Sequence, residues 1–287
     1  MSDFDHSSSL PRTNPCNRSS DHRRNKTVLS ERQRRELEFY EEFSKMHPPE
    51  AFFASIAGEE TRPWNSYWQV VEIAKQNFRS EDQKLLDFGC GKGELSLVLS
   101  KVGYEVFGFD LSPNNIAIAK RLATEYKITD RTHFQVCVAE KLDYPTDYFD
   151  VLVGADILHH VEITQAVSEC SRVLKKGGVA IFHEPVRVPI FDIVRESKVG
   201  RWLVPKEASL ERQVTQDERK LTITDIEVIK RIGVNSSTQR FLLFSRLDRF
   251  ITISKGSSFL EQVDFYLFKM FPVLNQFGGV AIIVLRK

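Results

Sequence analysis

Between residues 84 and 184, short apolar runs alternate with amphipathic segments, and this rhythm limits the possible folds more than any other property of the chain. The runs are KLLDF (84–88), EVFGFD (105–110), HFQVCV (133–138), FDVLVG (149–154) and GVAIFHE (178–184). Apolar runs this short suit strands buried on both faces. The intervening GELSLVLSKVG, SPNNIAIAKRLATEYK and TQAVSECSRVLKKGG place apolar residues at i, i+3 and i+4, with glycine at or beyond two of the ends, and read as helices. Strands that alternate with helices need right-handed crossovers, which predicts a doubly wound parallel α/β sheet.

The flanks divide the rest. Residues 1–28 are Ser, Asn, Arg and Asp with little apolar periodicity, the composition of a disordered tail. An N-terminal helical cap is expected over 29–80. It begins with SERQRRELEFYEEFSKM, where Ser30 suits an N-cap and Leu37, Tyr40 and Phe43 share a helical face, and continues through Trp64, Tyr67, Trp68 and Val71. Residues 81–184 carry the alternating core. From 185 to 235 the rhythm lapses, as expected of a lid inserted at the ligand edge of the sheet. A final strand pair, TQRFLLF (238–244) and GVAIIVLRK (279–287), flanks the amphipathic FLEQVDFYLFKMF within 236–287.

Composition excludes several classes. Forty Lys and Arg balance 39 Asp and Glu, so no overall field draws nucleic acid or an acidic partner. Within residues 1–36, eight basic residues face five acidic ones, too slight a bias for much counterion release. Cys16, Cys90, Cys137 and Cys170 have no paired spacing, so neither a metal site nor a disulfide framework is expected, and a reducing, cytoplasmic setting is. The N-terminus lacks the apolar core of a secretory signal. Pro272, Asn275, Gln276 and Gly278–Gly279 break the apolar C-terminal region before spanning length, so no transmembrane helix is expected. The 259–271 helix admits core packing, a pocket wall or peripheral membrane contact. The oligomeric state has no signature here.

In LLDFGCGKGE (85–94), glycines on alternate positions allow backbone to approach a ligand closely. A dinucleotide fingerprint needs G-x-G-x-x-G, but Glu94 occupies the last glycine position. Asp87 precedes the first glycine, and a carboxylate there suits a cationic ligand group better than a pyrophosphate.

In this order and spacing, LLDFGCGKGE, VFGFDLSP, VAEKLDYPTDYFDVLVGADILHHV and RVLKKGGVAIFHEP resemble the class I S-adenosylmethionine-dependent methyltransferases, in particular the small-molecule, ubiquinone/menaquinone-biosynthesis-like group. The resemblance covers residues 84–184. It implies a Rossmann-like, seven-stranded, mostly parallel sheet with one antiparallel strand at the C-terminus, and S-adenosyl-L-methionine as cofactor. Asp87, Gly89, Cys90, Gly91 and Gly93 would lie against its methionine part, Asp110 would accept from both ribose hydroxyls, Leu111 would pack on adenine, and Gly154 would meet the methionine amine. Family members commonly carry an acid where this chain has Val138. Backbone groups of Ala139 or the carboxylate of Glu140 are the substitutes.

His159, His160 and Glu184 fall at the ends of the fourth and fifth strands, where the methyl group would be presented. A histidine there could act as a general base, or could cap the next helix and line the pocket. His183 and Glu184 alternate, so they should face opposite sides of the sheet. The chain lacks D/N-P-P-Y/F after the fourth strand, a nucleophilic cysteine for pyrimidine carbon-5 chemistry, an Asp-Asn pair for magnesium and a paired-glutamate loop for protein arginine. A small organic acceptor methylated on oxygen, nitrogen or carbon remains, and aromatic density in the N-terminal helices and after Glu184 suggests a hydrophobic one. The alternatives are an RNA methyltransferase and a non-catalytic cofactor-binding partner protein.

Overall fold

The computed structural model describes residues 29–46, 62–189, 219–245 and 258–287. The expected tail and the middle of the expected lid lie outside these residues.

The sheet has seven strands: β1 (Lys84–Phe88), β2 (Glu105–Asp110), β3 (Thr132–Val136), β4 (Phe149–Ala155), β5 (Leu174–Pro185), β6 (Asn235–Phe241) and β7 (Val280–Arg286). Their order is β3-β2-β1-β4-β5-β7-β6. The pairs from β3 to β5 are parallel, whereas β7 runs antiparallel to both of its neighbours. This is the expected doubly wound sheet with one antiparallel C-terminal strand. Order reverses at β1 and β4, which opens a crevice at the carboxyl ends of the strands.

Helices cover both faces: α1 (Glu31–Met46), α2 (Ser66–Asn77), α3 (Glu94–Val102), α4 (Pro113–Glu125), α5 (Ile163–Val173), α6 (Ile223–Ile229) and α7 (Ser258–Met270). Period-2 alternation sorts the strand residues between them. Leu85, Val151, Val153, Val179, Ile181 and Ile282 pack with α2 and α3. Leu86, Leu152, Ala180, Phe182 and Ile283 pack with α5 and α6. Ser30 caps α1: its Oγ accepts from the Gln33 amide at 3.2 Å, while Gln33 Oε1 accepts from the Ser30 amide at 3.0 Å.

Two local readings change. The helix expected through Gly178 ends at Val173. Its last residues, Lys175 to Gly178, belong to β5, because the chain turns there at a left-handed Gly177 with φ of 78° and Lys175 is held by Asp150 at 2.8 Å. The strand expected at 238–244 runs instead over Asn235–Phe241. Leu242 breaks it with φ of 63°, and the buried Asp264 carboxylate of α7 collects the next amides, those of Leu243, Phe244 and Ser245, at 2.8–2.9 Å. The described ends of the expected lid, 185–189 and 219–235, contribute Val186, Leu221, Ile226, Ile229 and Ile232 to the core, and α6 packs on α5.

Candidate active site at the carboxyl edge of the sheet

The turn after β1 begins the site. Gly89, Gly91 and Gly93 all adopt positive φ, at 75°, 52° and 84°. A Cβ on Gly89 would lie 2.6 Å from Ile157, whereas one on Gly91 would meet nothing within 4 Å. Gly89 therefore serves packing, while Gly91 presents bare backbone to open space. Cys90 is buried and anchors the turn through its amide, which donates to Phe109 O at 2.8 Å.

Two carboxylates frame this turn. Asp87 is buried and accepts from Ser96 Oγ at 2.5 Å. Burial, with a smaller push from Glu94, raises its carboxyl to about 7 against the pull of that hydroxyl. Asp110 accepts from the Gly91 amide at 3.1 Å, the Ser112 amide at 2.8 Å and Asn115 Nδ2 at 3.1 Å. Burial also raises Asp110, against those three donors. Leu111, half-buried, follows it.

Helix α1 lies across the edge. Its Glu41 accepts from Ser112 Oγ and from the Asn114 amide at 3.1 Å, at the start of α4. Its Gln33 donates to Glu140 Oε2 at 2.9 Å, and Glu140 Oε1 accepts from the Glu162 amide at 3.0 Å. Glu140 thus ties α1 to the start of α5, beside the buried Ala139. A Cβ on Gly154 would meet Phe182 at 2.9 Å, so close packing in the sheet also requires this glycine.

The remaining candidates meet at the β4–β5 end. Fully buried Glu184 accepts from the Ile157 amide at 3.0 Å, the Leu158 amide at 2.7 Å and His159 Nδ1 at 2.7 Å. His160 Nε2 lies 2.9 Å from Tyr40 Oη, and its Nδ1 lies 3.2 Å from Glu36. His183 faces the other side, as its alternation with Glu184 predicts: Nε2 is 2.9 Å from Ser66 Oγ and Nδ1 is 3.3 Å from Asp156. Asp156, Tyr67 and Ser66 were not singled out in the sequence as site residues. Asp156 directly follows β4, where a signal for it existed, but Ser66 and Tyr67 lie far upstream in α2.

Residues 86–182 match the family described as a methyltransferase domain. This segment is a class I methyltransferase domain. The chain is 30% identical over 169 residues to the ubiquinone biosynthesis O-methyltransferase of Cereibacter sphaeroides, covering 58% of this chain and 65% of that protein. It is 29% identical over 160 residues to the Agrobacterium fabrum enzyme of the same name, covering 54% and 63%. The match thus spans less than two thirds of these relatives. Among solved structures, the geranyl diphosphate C-methyltransferase of Streptomyces coelicolor superimposes with a TM-score of 0.50 at 17% identity, over 76% of this chain and 78% of that one. The [4+2]-cyclase SpnF does so at 0.51 and 19%, over 76% and 80%. The methyltransferase domain therefore shares its fold with a protein named for different chemistry, and its own chemistry must be argued from the site.

Proposed function

We propose that this protein transfers a methyl group from S-adenosyl-L-methionine to a small, hydrophobic acceptor. The observation that carries this reading is the β1 turn, where bare Gly91 backbone faces open space between two carboxyls that burial holds above their ordinary range. A ligand bearing an ammonium and a sulfonium would relieve that burden. The buried Asn115 Oδ1 has no hydrogen-bond partner among the described residues, and it belongs to a side chain that donates to Asp110, so the region also suits a hydroxyl-bearing ligand.

The cofactor would supply an electrophilic methyl group. Asp87 and the Gly89–Gly93 turn, with Cys90 inside it, would hold its methionine portion, with Gly154 backbone near the amine. Asp110 would accept from the ribose. Leu111, Ala139 and Glu140 would border the adenine. His159, His160 and Glu184 give their described polar contacts to protein partners, which supports a positioning role: Glu184 fixes the backbone after β4, and the histidines hold that segment against α1. Methyl transfer depends mainly on aligning the acceptor about 3 Å from the methyl carbon and excluding water. A ring of buried, mutually bonded groups meets that need. The names of the curated relatives favour oxygen as the methylated atom. Among the described residues no helix is long and apolar enough to cross a membrane.

The test is isothermal titration with S-adenosylmethionine, S-adenosylhomocysteine and NAD in parallel. Binding of the two sulfur compounds alone is expected. Binding of NAD alone, or of none by a folded sample, overturns the reading.

A further inference from the structure

One cluster at the same edge is not needed to hold the cofactor. Asn65 caps α2 by accepting from the Trp68 amide at 2.9 Å, and this sets Ser66 and Tyr67 in the first turn, against the ends of β4 and β5. There Tyr67 Oη donates to Asp156 Oδ2, and the Tyr67 ring stacks on His183 with centroids 4.2 Å apart. The other nitrogen of His183 is engaged with Ser66, and the Asp156 amide donates to His183 O at 2.8 Å.

Asp156 differs from the nearby Glu184. Protein crowds it on most sides, yet 37% of its side chain remains exposed, against none for Glu184. It is therefore partly open to solvent. Its φ of 55° is left-handed, a conformation held here by contacts from α2 and β5. The next residue, Ile157, packs over Gly89 of the β1 turn.

We propose that Asp156 is the group that accepts the proton of the acceptor, which presents a hydroxyl to it, and that His183, Tyr67 and Ser66 are its positioning residues. This inference rests on the methyl-transfer reading above. As the acceptor oxygen bonds to the methyl carbon, the carbon–sulfur bond breaks with its electron pair left on sulfur. The hydroxyl proton passes to an Asp156 carboxylate oxygen and leaves for water from the exposed side. His159 and His160 are less suited, being 5% and 9% exposed and engaged with Glu184, Tyr40 and Glu36.

The electrostatic surroundings keep Asp156 ionised, an acceptor for the hydroxyl although a weak base. Burial acts upward on Asp156, but His183, the Tyr67 hydroxyl and His159 outweigh it and keep the carboxyl below its ordinary value. Tyr67 is pushed well above its ordinary value by burial first and then by Asp156 and Glu184, so it remains a donor. Groups facing Asp156 thus come from α2, β5 and the turn after β4.

The experiment uses the full chain saturated with S-adenosylhomocysteine and 4-nitrocatechol as a chromogenic hydroxyl probe. A carboxylate that accepts from the bound probe stabilises its neutral form. Its ionisation midpoint should rise by about one pH unit in the wild type and return toward the free value in Asp156→Asn. With labelled S-adenosylmethionine, methylation of the same probe should fall about 100-fold in Asp156→Asn, with cofactor affinity unchanged. Should that variant fail to fold, Tyr67→Phe removes one donor to the carboxylate and should move the acidic limb of the pH–rate profile upward. A probe midpoint indifferent to Asp156, full turnover in Asp156→Asn, an unmoved limb in Tyr67→Phe, or no probe binding to the saturated wild type overturns the proposal. Failure of S-adenosylhomocysteine itself to bind the folded wild type marks a failure of the underlying reading instead.

Discussion

At the β1–β2 end of the crevice, Asp87 and Asp110 are burdened by burial, and the charges that act on them include Glu94 and Glu41, so both carboxyls titrate above their ordinary range. At the β4–β5 end, Asp156 lies against His183 and Tyr67 and titrates below it. One region leaves negative charge to be balanced from outside, and the other carries its balance within the fold. The difference follows from how each was assembled. The first is built mainly from two local units, the β1 turn with the start of α3 and the end of β2 with the start of α4, with Glu41 of α1 added across them. The second draws on α1, α2, β4 and β5, and so can recruit compensation from anywhere in the chain.

The strongest way to break the contrast is Glu184→Ala, which would leave the Ile157 and Leu158 amides and His159 without their acceptor. Removing one partner from such a buried group should cost about 3–5 kcal/mol in urea unfolding. A loss below 1 kcal/mol would show that the β4–β5 end is not internally balanced through this residue.

Asp87→Asn examines the other side. A carboxyl raised to about 7 in the folded state keeps its proton while the unfolded chain loses its own near pH 4, so wild-type stability should fall as pH rises from about 4 to about 7. The difference is at most roughly 4 kcal/mol. The variant should lose that slope, gaining stability at pH 8 relative to wild type while binding S-adenosylmethionine more weakly. Parallel unfolding curves for both proteins at pH 5 and pH 8 would refute it.

Asp110→Ala should weaken S-adenosylmethionine by about 1.5–3 kcal/mol, the range for hydrogen bonds to a charged group, as read by titration calorimetry. Unchanged affinity would place the ribose elsewhere. The smallest effect concerns α1, which touches both regions. Glu41→Ala removes the acceptor for Ser112 and Asn114 and should cost about 1 kcal/mol of thermal stability, with little change at the β4–β5 end.

Much of the first region was legible in the chain. Asp87 to Glu94 are consecutive, and the glycine spacing alone separates this turn from a dinucleotide loop. Five core strands and the helices between them followed from apolar period, and the N-cap at Ser30 was visible as a local signal, although its reciprocal partner Gln33 was not. The second region was less legible. Glu184 and the two histidines were recognisable as strand-end residues, but Tyr67 meets Asp156 across 89 positions and Ser66 meets His183 across 117, and no local pattern encodes such contacts. The displaced β6 has a similar origin. Its apolar FLLF run suggests a strand, yet only Phe241 stays in the ladder, because Asp264 on α7 captures the backbone that follows.

The strand order carries one more consequence. β7 lies between β5 and β6 although it is synthesised after both. Until it emerges from the ribosome, β5 and β6 each expose an unpaired edge, and the apolar VAIIV run that will close the gap is the last of the sheet to be made. Insertion of a late strand between two early ones is a long-range event, slow relative to local helix formation. The nascent sheet therefore passes through an interval open to foreign strand pairing, and protection by a chaperone would matter most in that interval.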